Sequence, residues 1–506
     1  MRPYCALFIA IASILSPFTT TAKTSHPNIV FVLADDMGYD SVAALNPESN
    51  ALQTPNIDRL LEQGMHFTDG HANSSVCTPS RYGILTGRYS WRSKLKRQVL
   101  WGYGMPLIEE DRLTLPAMLH QQGYYTGCIG KWHLGMGWRK KDGTFANTEL
   151  LIGDKIWTKN KAMLKRMNDC EDSIDFTQPV SGPCDRGFDY YFGMDLPNMA
   201  PYVWIENDHI LQIPTMQKPK NIFGDDGIMY PEFRSEDILP RLSERASRWI
   251  TEASRKKQPF FLYLSLTSPH TPVAPAKEFI GKTKLGKYGD YVYQTDWVVG
   301  QAMAAVKKAG IENNTIFIFT TDNGTVGRFG GKKADKPNMN YHFRGRKLSI
   351  YEGGHRLPLI VRWPGKTKPN TQCDQTVCLN DFMATFAELT GYKLPVNAAE
   401  DSYSILPLLT GKATKLPNHP NIINQDYSGT LAIRQGPWKL ILKGKKLELY
   451  NLDEDLNEKH NITDQHPELT QKLFADLKRS VEKGRTTRGL EQPNYKNKSS
   501  WAPLPW

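Results

Sequence analysis

The chain has 506 residues, of which 40% are hydrophobic and 11% aromatic, so its composition indicates a packed globular protein rather than a disordered one. This length is sufficient for one large domain and a smaller one. The net charge is +11, but the basic residues are scattered and form no basic stripe, which argues against nucleic-acid binding. Diffuse positive charge is compatible with the attraction of an anionic substrate.

The N-terminal segment has the pattern of an export signal. Arg2 precedes an apolar run from Cys5 to Leu15, and Thr20-Thr21-Ala22 follows. This order predicts a signal peptide over residues 1–22 and a periplasmic or secreted protein. The apolar run is too short to cross a membrane, and no stable membrane insertion is predicted.

From residue 23 to about residue 400, short apolar runs alternate with helical patterns. Such alternation predicts an α/β domain built on a mostly parallel sheet. The predicted strands are Asn28–Ala34, Tyr124–Ile129, Pro259–Leu266, Thr315–Thr321 and Leu357–Arg362. The predicted helices are Leu115–Gln122, Leu239–Lys257, Tyr291–Ala309, and one that starts at Thr54-Pro55 and ends before Gly64.

The pattern changes after residue 400. Leu431–Arg434, Trp438–Leu442 and Leu447–Tyr450 are short strands with tight turns, and a helix is predicted over Pro467–Lys483. Residues 401–506 are therefore predicted to form a small antiparallel subdomain with a terminal helix. Two stretches, Tyr341–Gly354 and Asp142–Asp185, are interpreted as long loops or insertions.

Four of the predicted strands are followed by residues with chemically active side chains. These residues are Asp35-Asp36 after the first strand, Lys131 and His133 after the second, His270 after the third, and Asp322-Asn323 after the fourth. Ligands of open α/β sheets bind at the carboxyl ends of the strands, so these side chains are expected to share one rim. Taken singly, each residue also fits an ordinary role, such as helix capping for the acids or loop packing for the histidines.

The acidic residues of this rim predict a metal site. Three carboxylates, from Asp35, Asp36 and Asp322, and the amide oxygen of Asn323 form a hard oxygen set, which suits Ca²⁺ or Mg²⁺ better than a soft transition metal.

One further motif connects these observations. The run Cys77-Thr78-Pro79-Ser80-Arg81 is followed by Leu85-Thr86-Gly87-Arg88, and this pattern resembles the type I sulfatase signature. The order and spacing of the rim residues are similar to those of the same family, and the likeness extends from Asn28 to about Gly365. A buried structural cysteine in front of a helix is the alternative interpretation of Cys77.

The resemblance implies an alkaline-phosphatase-like α/β sandwich and a sulfuric ester hydrolase. It implies that a maturase oxidises Cys77 to formylglycine, whose hydrate attacks sulfur, and that one Ca²⁺ binds Asp35, Asp36, modified Cys77, Asp322 and Asn323. His270 or Lys347 would assist the leaving alcohol, and His133 would be the base that regenerates the aldehyde. The implied catalytic set is Cys77, Arg81, Lys131, His133, His270 and Lys347, although Arg346 stands where the family often has glycine.

Likeness to bacterial carbohydrate sulfatases implies an exo-acting enzyme on sulfated glycans, with a lean to 6-O-sulfated galactose or N-acetylgalactosamine. The residues expected to contact the sugar are Tyr202, Asp208, His209 and His355. Core or rim packing is the alternative role for aromatic residues of this group.

Three alternatives to an active sulfatase remain at this level. A phosphonate or phosphate ester hydrolase of the same fold shares the metal acids. A non-catalytic sulfoglycan-binding protein would be expected to lose Cys77 or a metal acid, and none is lost. In a host that lacks the maturase, the protein would form an immature, inactive pool.

The remaining cysteines suggest two disulfides. An exported protein permits them, and Cys373 with Cys378 and Cys170 with Cys184 are the local pairings expected. Cys128 lies in a predicted strand and is expected to be a small buried apolar residue.

Overall fold

A computed structural model describes residues 26–49, 51–146, 161–326, 343–417, 419 and 421–495. The predicted signal peptide lies outside this range. The strands are β1 (Asn28–Asp35), β2 (Met65–Phe67), β3 (Gly70–His71), β4 (Tyr125–Lys131), β5 (Tyr190–Met194), β6 (Ile205–Glu206), β7 (His209–Ile210), β8 (Met216–Gln217), β9 (Ile228–Met229), β10 (Phe260–Pro269), β11 (Thr315–Thr321), β12 (Leu359–Arg362), β13 (Thr371–Cys373), β14 (Val377–Cys378), β15 (Ile422–Gln425), β16 (Leu431–Gln435), β17 (Trp438–Lys443) and β18 (Lys446–Asn451). The helices are α1 (Pro55–Gln63), α2 (Cys77–Thr86), α3 (Leu115–Gln121), α4 (Lys161–Ser173), α5 (Ile238–Ala253), α6 (Gly286–Lys308), α7 (Glu352–His355), α8 (Phe382–Thr390), α9 (Leu406–Leu409) and α10 (Pro467–Glu482).

The main sheet contains ten strands in the order β13-β2-β12-β11-β1-β10-β4-β5-β6-β7. Its five central strands, β11 to β5 in that order, are all parallel. Strand β1 lies at the centre, and all eight of its residues are buried, as its apolar sequence Asn-Ile-Val-Phe-Val-Leu-Ala-Asp predicts. The predicted mostly parallel α/β sheet is confirmed.

Helices cover both faces of this sheet. Consecutive residues of a strand point to opposite faces. In β10, Phe260 contacts Trp249 of α5 on one face, while Phe261 contacts Phe386 of α8 on the other. Helices α5, α6 and α1 pack together in one layer, and α2, α3 and α8 pack together in the other. The molecule is therefore a three-layer sandwich, as expected.

The C-terminal part forms the predicted small antiparallel sheet, in the order β15-β16-β17-β18, with α10 packed against it. Strand β15 was not predicted. Tyr89 and Trp91, from the first part of the chain, belong to the core of this small sheet, whereas Leu408 and Leu409 belong to the main core. The division at residue 400 therefore stays a prediction, and packing favours a division after α9.

Asp142–Asp185, predicted to be a long loop or an insertion, contains helix α4, and the expectation of two disulfides is wrong. The six described cysteines are all free, so neither predicted disulfide is present among them. Cys373 ends β13 of the main sheet and Cys378 lies in β14 of a separate two-stranded sheet, and Cys170 Sγ contacts the carbonyl of Ala146. Separate hydrogen-bonding frameworks thus hold the two members of the first pair.

Within the described ranges, no helix is both long and apolar enough to span a membrane.

Candidate active site

The predicted rim exists at the carboxyl ends of four adjacent parallel strands. Asp35 is the last residue of β1 and Lys131 is the last residue of β4. His270 follows β10 directly, and Asp322 follows β11 directly. Because β11, β1, β10 and β4 are neighbours in the sheet, these four side chains start from one edge.

The turn after β1 brings two strand ends together. Asp36 has a φ of 65°, in the left-handed region that side chains other than glycine seldom adopt, although aspartate tolerates it better than most. Its backbone N–H donates to Oδ1 of Asp322 at 3.2 Å. The unusual backbone conformation is thus held by a contact between β1 and β11.

Cys77 lies against the acids of this edge. It is the first residue of α2, and the helix ends at Gly87, whose φ of 63° is the left-handed conformation that commonly closes helices. The Sγ atom of Cys77 is 3.6 Å from Oδ1 of Asp35 and 4.0 Å from Oδ1 of Asp36. Burial raises the pKa of the Cys77 thiol, so the unmodified side chain is held as a thiol rather than a thiolate.

Three cationic side chains surround the acids. The Lys131 ammonium donates to Asp35 at 2.6 Å, and the Lys347 ammonium donates to Asp36 at 2.7 Å. Arg81 donates to Oδ2 of Asp322 from Nε at 3.1 Å and from Nη2 at 2.7 Å. Burial would raise the pKa of Asp35, but the nearby cations, Lys131 foremost, hold it well below its usual value.

The donor set fits a hard divalent cation. Asn323 donates from Nδ2 to Asp36 Oδ1, and its buried Oδ1 atom has no hydrogen-bond partner within the described structure. Burial and the neighbouring Asp35 carboxylate raise the pKa of Asp322 to about 7 despite Arg81. Crowded carboxylates and an unpartnered amide oxygen are the ligands that Ca²⁺ prefers. The residues predicted to bind the metal are thus brought together here.

Lys347, and not Arg346, reaches the centre. The Lys347 ammonium is 3.5 Å from Sγ of Cys77 as well as bound to Asp36, whereas the side chain of Arg346 is exposed. Of these two neighbouring cations, Lys347 is therefore the one that contacts Asp36 and Cys77.

The two histidines occupy different positions. His270 places Nε2 3.6 Å from Asp36, and its Nδ1 donates to the carbonyl of Thr271. Burial, aided by Lys347, lowers the pKa of His270 to about 4. His133 donates from Nε2 to the carbonyl of Leu100 at 2.9 Å, so its buried Nδ1 carries the lone pair, and that atom has no partner among the described residues.

Two supporting residues were missed in the sequence. Ser265 in β10 accepts a hydrogen bond from Arg81 and donates to the carbonyl of Lys131 at 2.7 Å. Asp195 accepts from the backbone N–H of His133 at 2.9 Å. A serine within a fully buried apolar strand was the available signal for Ser265, while Asp195 lies in a segment without any recognised pattern.

The four predicted sugar contacts do not gather around this centre. Tyr202 is buried and its hydroxyl donates to the carbonyl of Asp225, so its ring offers no open face to a sugar. Asp208 and His209 pair with each other at an exposed turn on the outer edge of the sheet. That edge lies three strands beyond β4, or about 14 Å at the usual strand spacing.

His355, the fourth predicted contact, belongs instead to a buried group of charged side chains between the large sheet and the small one. We call this group the interdomain cluster; its members are Asp69, His71, Glu352, His355, Arg356, Arg434, Lys439 and Glu458. Lys439 of β17 is 2.9 Å from Glu352 and 2.8 Å from Glu458. His355 is fully buried there, which removes it from the proposed sugar contacts.

Comparison with known proteins agrees with this geometry. The sulfatase family model matches residues 27–392, and the model described as N-sulphoglucosamine sulphohydrolase, C-terminal, matches residues 342–487. An N-acetylgalactosamine-6-O-sulfatase of Bacteroides thetaiotaomicron is 33% identical over 91% of this chain and 94% of its own length. Human steryl-sulfatase is 30% identical over 77% of this chain and 71% of its own.

A solved sulfatase structure from work on glycosaminoglycan metabolism by Bacteroides thetaiotaomicron has a TM-score of 0.76 at 29% identity, covering 90% of this chain and 99% of the other. The fold, with crowded carboxylates and cations at one edge of the sheet, is that of a hydrolase. The chain belongs to the sulfatase family and is a sulfuric ester hydrolase.

Proposed function

We propose that this sulfatase removes the 6-O-sulfate from a terminal galactose or N-acetylgalactosamine of a sulfated glycan, with one Ca²⁺ and a formylglycine made from Cys77. The observation that carries the chemistry is the position of Cys77 Sγ between the acids and the ammonium of Lys347. The sugar and the sulfate position are supported by likeness to the N-acetylgalactosamine-6-O-sulfatase.

Asp35, Asp36, Asp322 and Asn323 would hold the Ca²⁺, with modified Cys77 beside them. The bound ion would polarise the sulfate oxygens, and the hydrated aldehyde would supply the hydroxyl that attacks sulfur. Lys131 keeps the Asp35 carboxylate ionised, and Arg81 holds Asp322 in position through two hydrogen bonds. Lys347, with its raised pKa next to Asp36, keeps a positive charge where the nonbridging oxygens of the sulfate gain charge.

The leaving alcohol is expected to lie on the side of His270 and Lys347. These two side chains are 14% and 12% exposed, whereas Lys131 and Arg81 are fully buried. Either His270 or Lys347 can face the leaving oxygen. His133, whose buried Nδ1 carries a lone pair, is the base proposed for the step that restores the aldehyde.

The exo mode is supported by the enclosure of the centre. Cys77 is only 2% exposed, and its Sγ atom lies next to the buried acids Asp35 and Asp36. A sulfate at the end of a glycan reaches such a depth more readily than one in the middle of a chain.

We further propose export after removal of residues 1–22, and oxidation of Cys77 by a maturase. Peptide mass spectrometry of active protein should show the Cys77 peptide as an aldehyde, lighter than the thiol form. Full activity of protein with an unmodified thiol would contradict this proposal, and Cys77→Ala should abolish turnover while leaving the unfolding temperature close to that of the wild type.

The deciding experiment is a substrate panel with protein coexpressed with a maturase. Galactose and N-acetylgalactosamine sulfated at O6, O4, O3 or O2 are compared with an aryl sulfate, an aryl phosphate and an aryl phosphonate. We expect kcat/KM to be highest for the 6-O-sulfated sugars. Preference for the phosphonate would support the alternative hydrolase, and binding of sulfated sugars without turnover would support a sulfoglycan-binding protein. Attack on internal sulfates of a polymer would contradict the exo mode.

A further inference from the structure

A cavity of about 740 Å³ includes in its wall the segment that directly follows His270. One of its walls is formed by Thr271, Pro272, Val273 and Ala274, the residues that follow His270. The opposite wall comes from the segment between β7 and α5, including the β8–β9 hairpin. Its volume lies in the range of pockets that bind small molecules. The cavity therefore adjoins the segment that begins directly after His270.

The walls combine an apolar surface with two charged groups. Phe223 is 57% exposed, and Met216 and Ile222 line the cavity next to it. The exposed ring of Phe223 and the partly buried side chains of Met216 and Ile222 thus give this wall an apolar surface. The flat face of Phe223 suits the apolar face of a sugar ring.

Arg234 supplies a cation at the same cleft. Its Nη1 donates to the carbonyls of Pro231 and Phe233 at 3.0 and 2.8 Å, which fixes the guanidinium. Within the described ranges, no carboxylate pairs with Arg234, although Glu236 also lines the cavity. A fixed guanidinium with free donors suits a carboxylate or sulfate group, and Glu236 can accept hydroxyl hydrogen bonds.

Hydrogen bonds from two buried side chains, Lys218 and Tyr202, fix the loop that contains Phe223. The ammonium of Lys218 donates to the carbonyl of Ile222 at 2.8 Å and to that of Pro219 at 3.2 Å. On the other side, the hydroxyl of Tyr202 donates to the carbonyl of Asp225 at 2.7 Å. A loop fixed in this way loses little conformational entropy when it binds a ligand.

We propose that this cleft, defined by Met216, Ile222, Phe223, Arg234, Glu236 and Pro272, binds the sugar attached to the sulfated ring. That sugar would stack on Phe223 and turn an acidic substituent to Arg234. The inference rests on the proposed function: if His270 faces the leaving oxygen, the sulfated ring lies on its side of the centre. The remainder of the glycan must then continue from that ring, and the wall from Thr271 to Ala274 is the adjacent surface.

The test compares kcat/KM for two substrates of maturase-coexpressed protein. One is 6-O-sulfated N-acetylgalactosamine alone, and the other is the same sugar joined to a uronic acid. Phe223→Ala should lower the disaccharide-to-monosaccharide ratio roughly tenfold, the effect of one lost contact. Phe223→Trp, which keeps a flat ring, should retain most of the ratio. Arg234→Ala should lower the ratio for the uronic acid but not for a neutral hexose in its place.

Matched controls lie outside the cleft. Ile280 is 56% exposed and does not line the cavity, and Arg479 is an exposed arginine of α10, so Ile280→Ala and Arg479→Ala should leave both ratios unchanged. An unchanged disaccharide-to-monosaccharide ratio in Phe223→Ala and Arg234→Ala, or an equal loss of kcat/KM on both substrates, would overturn the proposal that this cleft binds the adjacent sugar.

A wild type that hydrolyses no sulfated sugar would count against the proposed function alone. The cleft would then be judged by calorimetric binding of the desulfated disaccharide. We expect that binding to weaken in Phe223→Ala and to persist in Ile280→Ala; equal affinities would overturn the proposal.

Discussion

Single residues of one motif have different roles in this site. Arg346 and Lys347 are adjacent, yet only Lys347 contacts Asp36 and Cys77. Backbone bonds from Lys347 N–H to Thr325 and from Leu348 N–H to Ser75 direct the lysine inward. No property of the side chains in the sequence distinguishes the two cations, because their difference arises from contacts with distant segments.

Replacing the inner cation should therefore impair catalysis far more than replacing the outer one. We expect Lys347→Ala to lower kcat by roughly 10²–10⁴, the usual effect of a positioned proton donor or charge. Arg346→Ala is the matched control and should change kcat little, because the Arg346 side chain is exposed. Steady-state kinetics on a 6-O-sulfated sugar provide the measurement, and similar losses in the two variants would contradict the assignment.

His66 shows how burial alone makes a residue sensitive to pH. It lies in β2, it is 1% exposed, and neither ring nitrogen has a hydrogen-bond partner in the described structure. Burial, and to a lesser extent Arg356, lowers its pKa to about 4. In the unfolded chain the pKa returns to about 6.5, so the unfolded state binds more protons between these values.

Above about pH 6.5, His66 is neutral in both states and does not destabilise the fold. As the pH falls from 6.5 towards 4, the unfolded state takes up the proton first, and the free energy of unfolding decreases. A shift of about 2.5 pKa units corresponds to roughly 3 kcal/mol. We expect the difference in unfolding free energy between the wild type and His66→Leu, measured in urea, to change by up to this amount across that range. Parallel pH profiles for the two proteins would show that His66 titrates normally.

At the scale of elements, periodicity and turn residues were sufficient to predict the four strands whose ends carry the site, whereas α2, which carries Cys77 and Arg81, was not among the helices predicted from periodicity. Strand β11 has the predicted bounds, and α1 runs from Pro55 to Gln63 as predicted. The N-terminus of α1 is capped from a distance: Thr54 makes no capping bond, and Asp296 of α6 accepts from the N–H groups of Asn56 and Ile57. A partner 240 positions away leaves no local signal.

Helix α7 connects the site to the small sheet. The N–H of Gly324, next to the metal ligands, donates to the carbonyl of Gly354 at 2.9 Å, and a Cβ on Gly324 would lie 1.9 Å from the carbonyl oxygen of Gly353. His355 also contacts the carbonyl of Ile350, in the loop that carries Lys347. The residues of α7, Glu352 to His355, therefore support the site structurally, and His355 is not a sugar contact.

Substitution of Lys439 should weaken the contact between α7 and the small sheet more than substitution of any other residue of the interdomain cluster. Lys439 is fully buried between Glu352 and Glu458, so Lys439→Met leaves Glu458 without a cation and Glu352 with Arg356 as its remaining guanidinium partner. Removing one partner of a buried ion pair costs about 3–5 kcal/mol. We expect that loss in urea unfolding, and a lower kcat because α7 is less well held.

A second variant separates the charge effect from a simple packing defect. In Lys439→Met/Glu458→Gln one carboxylate is neutralised, so this double variant should be more stable than Lys439→Met alone. If the double variant is less stable, the loss comes from packing and not from charge.

Across the whole molecule, the crowding of the buried carboxylates of Asp35, Asp36 and Asp322 at the sheet edge predicts a dependence of stability on Ca²⁺ that is separate from catalysis. A ligand that binds only the folded state stabilises it, by about 2.7 kcal/mol at 100 times the dissociation constant. We expect chelation to lower the thermal unfolding midpoint and Ca²⁺ to restore it, even in Cys77→Ala.

Asp322→Asn should weaken this response, whereas Glu278→Gln, at an exposed acid on the surface, should preserve it. Stabilisation by zinc but not by Ca²⁺, measured by the same thermal unfolding, would contradict the assignment of the ion.

The position of Lys439 also has a consequence in time. Cys77 is synthesised early and β17 late, and at 5–20 residues per second the interval is roughly 20–70 s. Until β17 exists, Glu352 of α7 lacks the buried ammonium of Lys439, so α7, which contacts the loop of Lys347 through Ile350, is less firmly held. We expect the growing chain to leave this thiol more open during that interval, whereas the finished fold encloses it. We expect oxidation of Cys77 to precede the docking of β17, so the speed of translation itself would set the fraction of active enzyme.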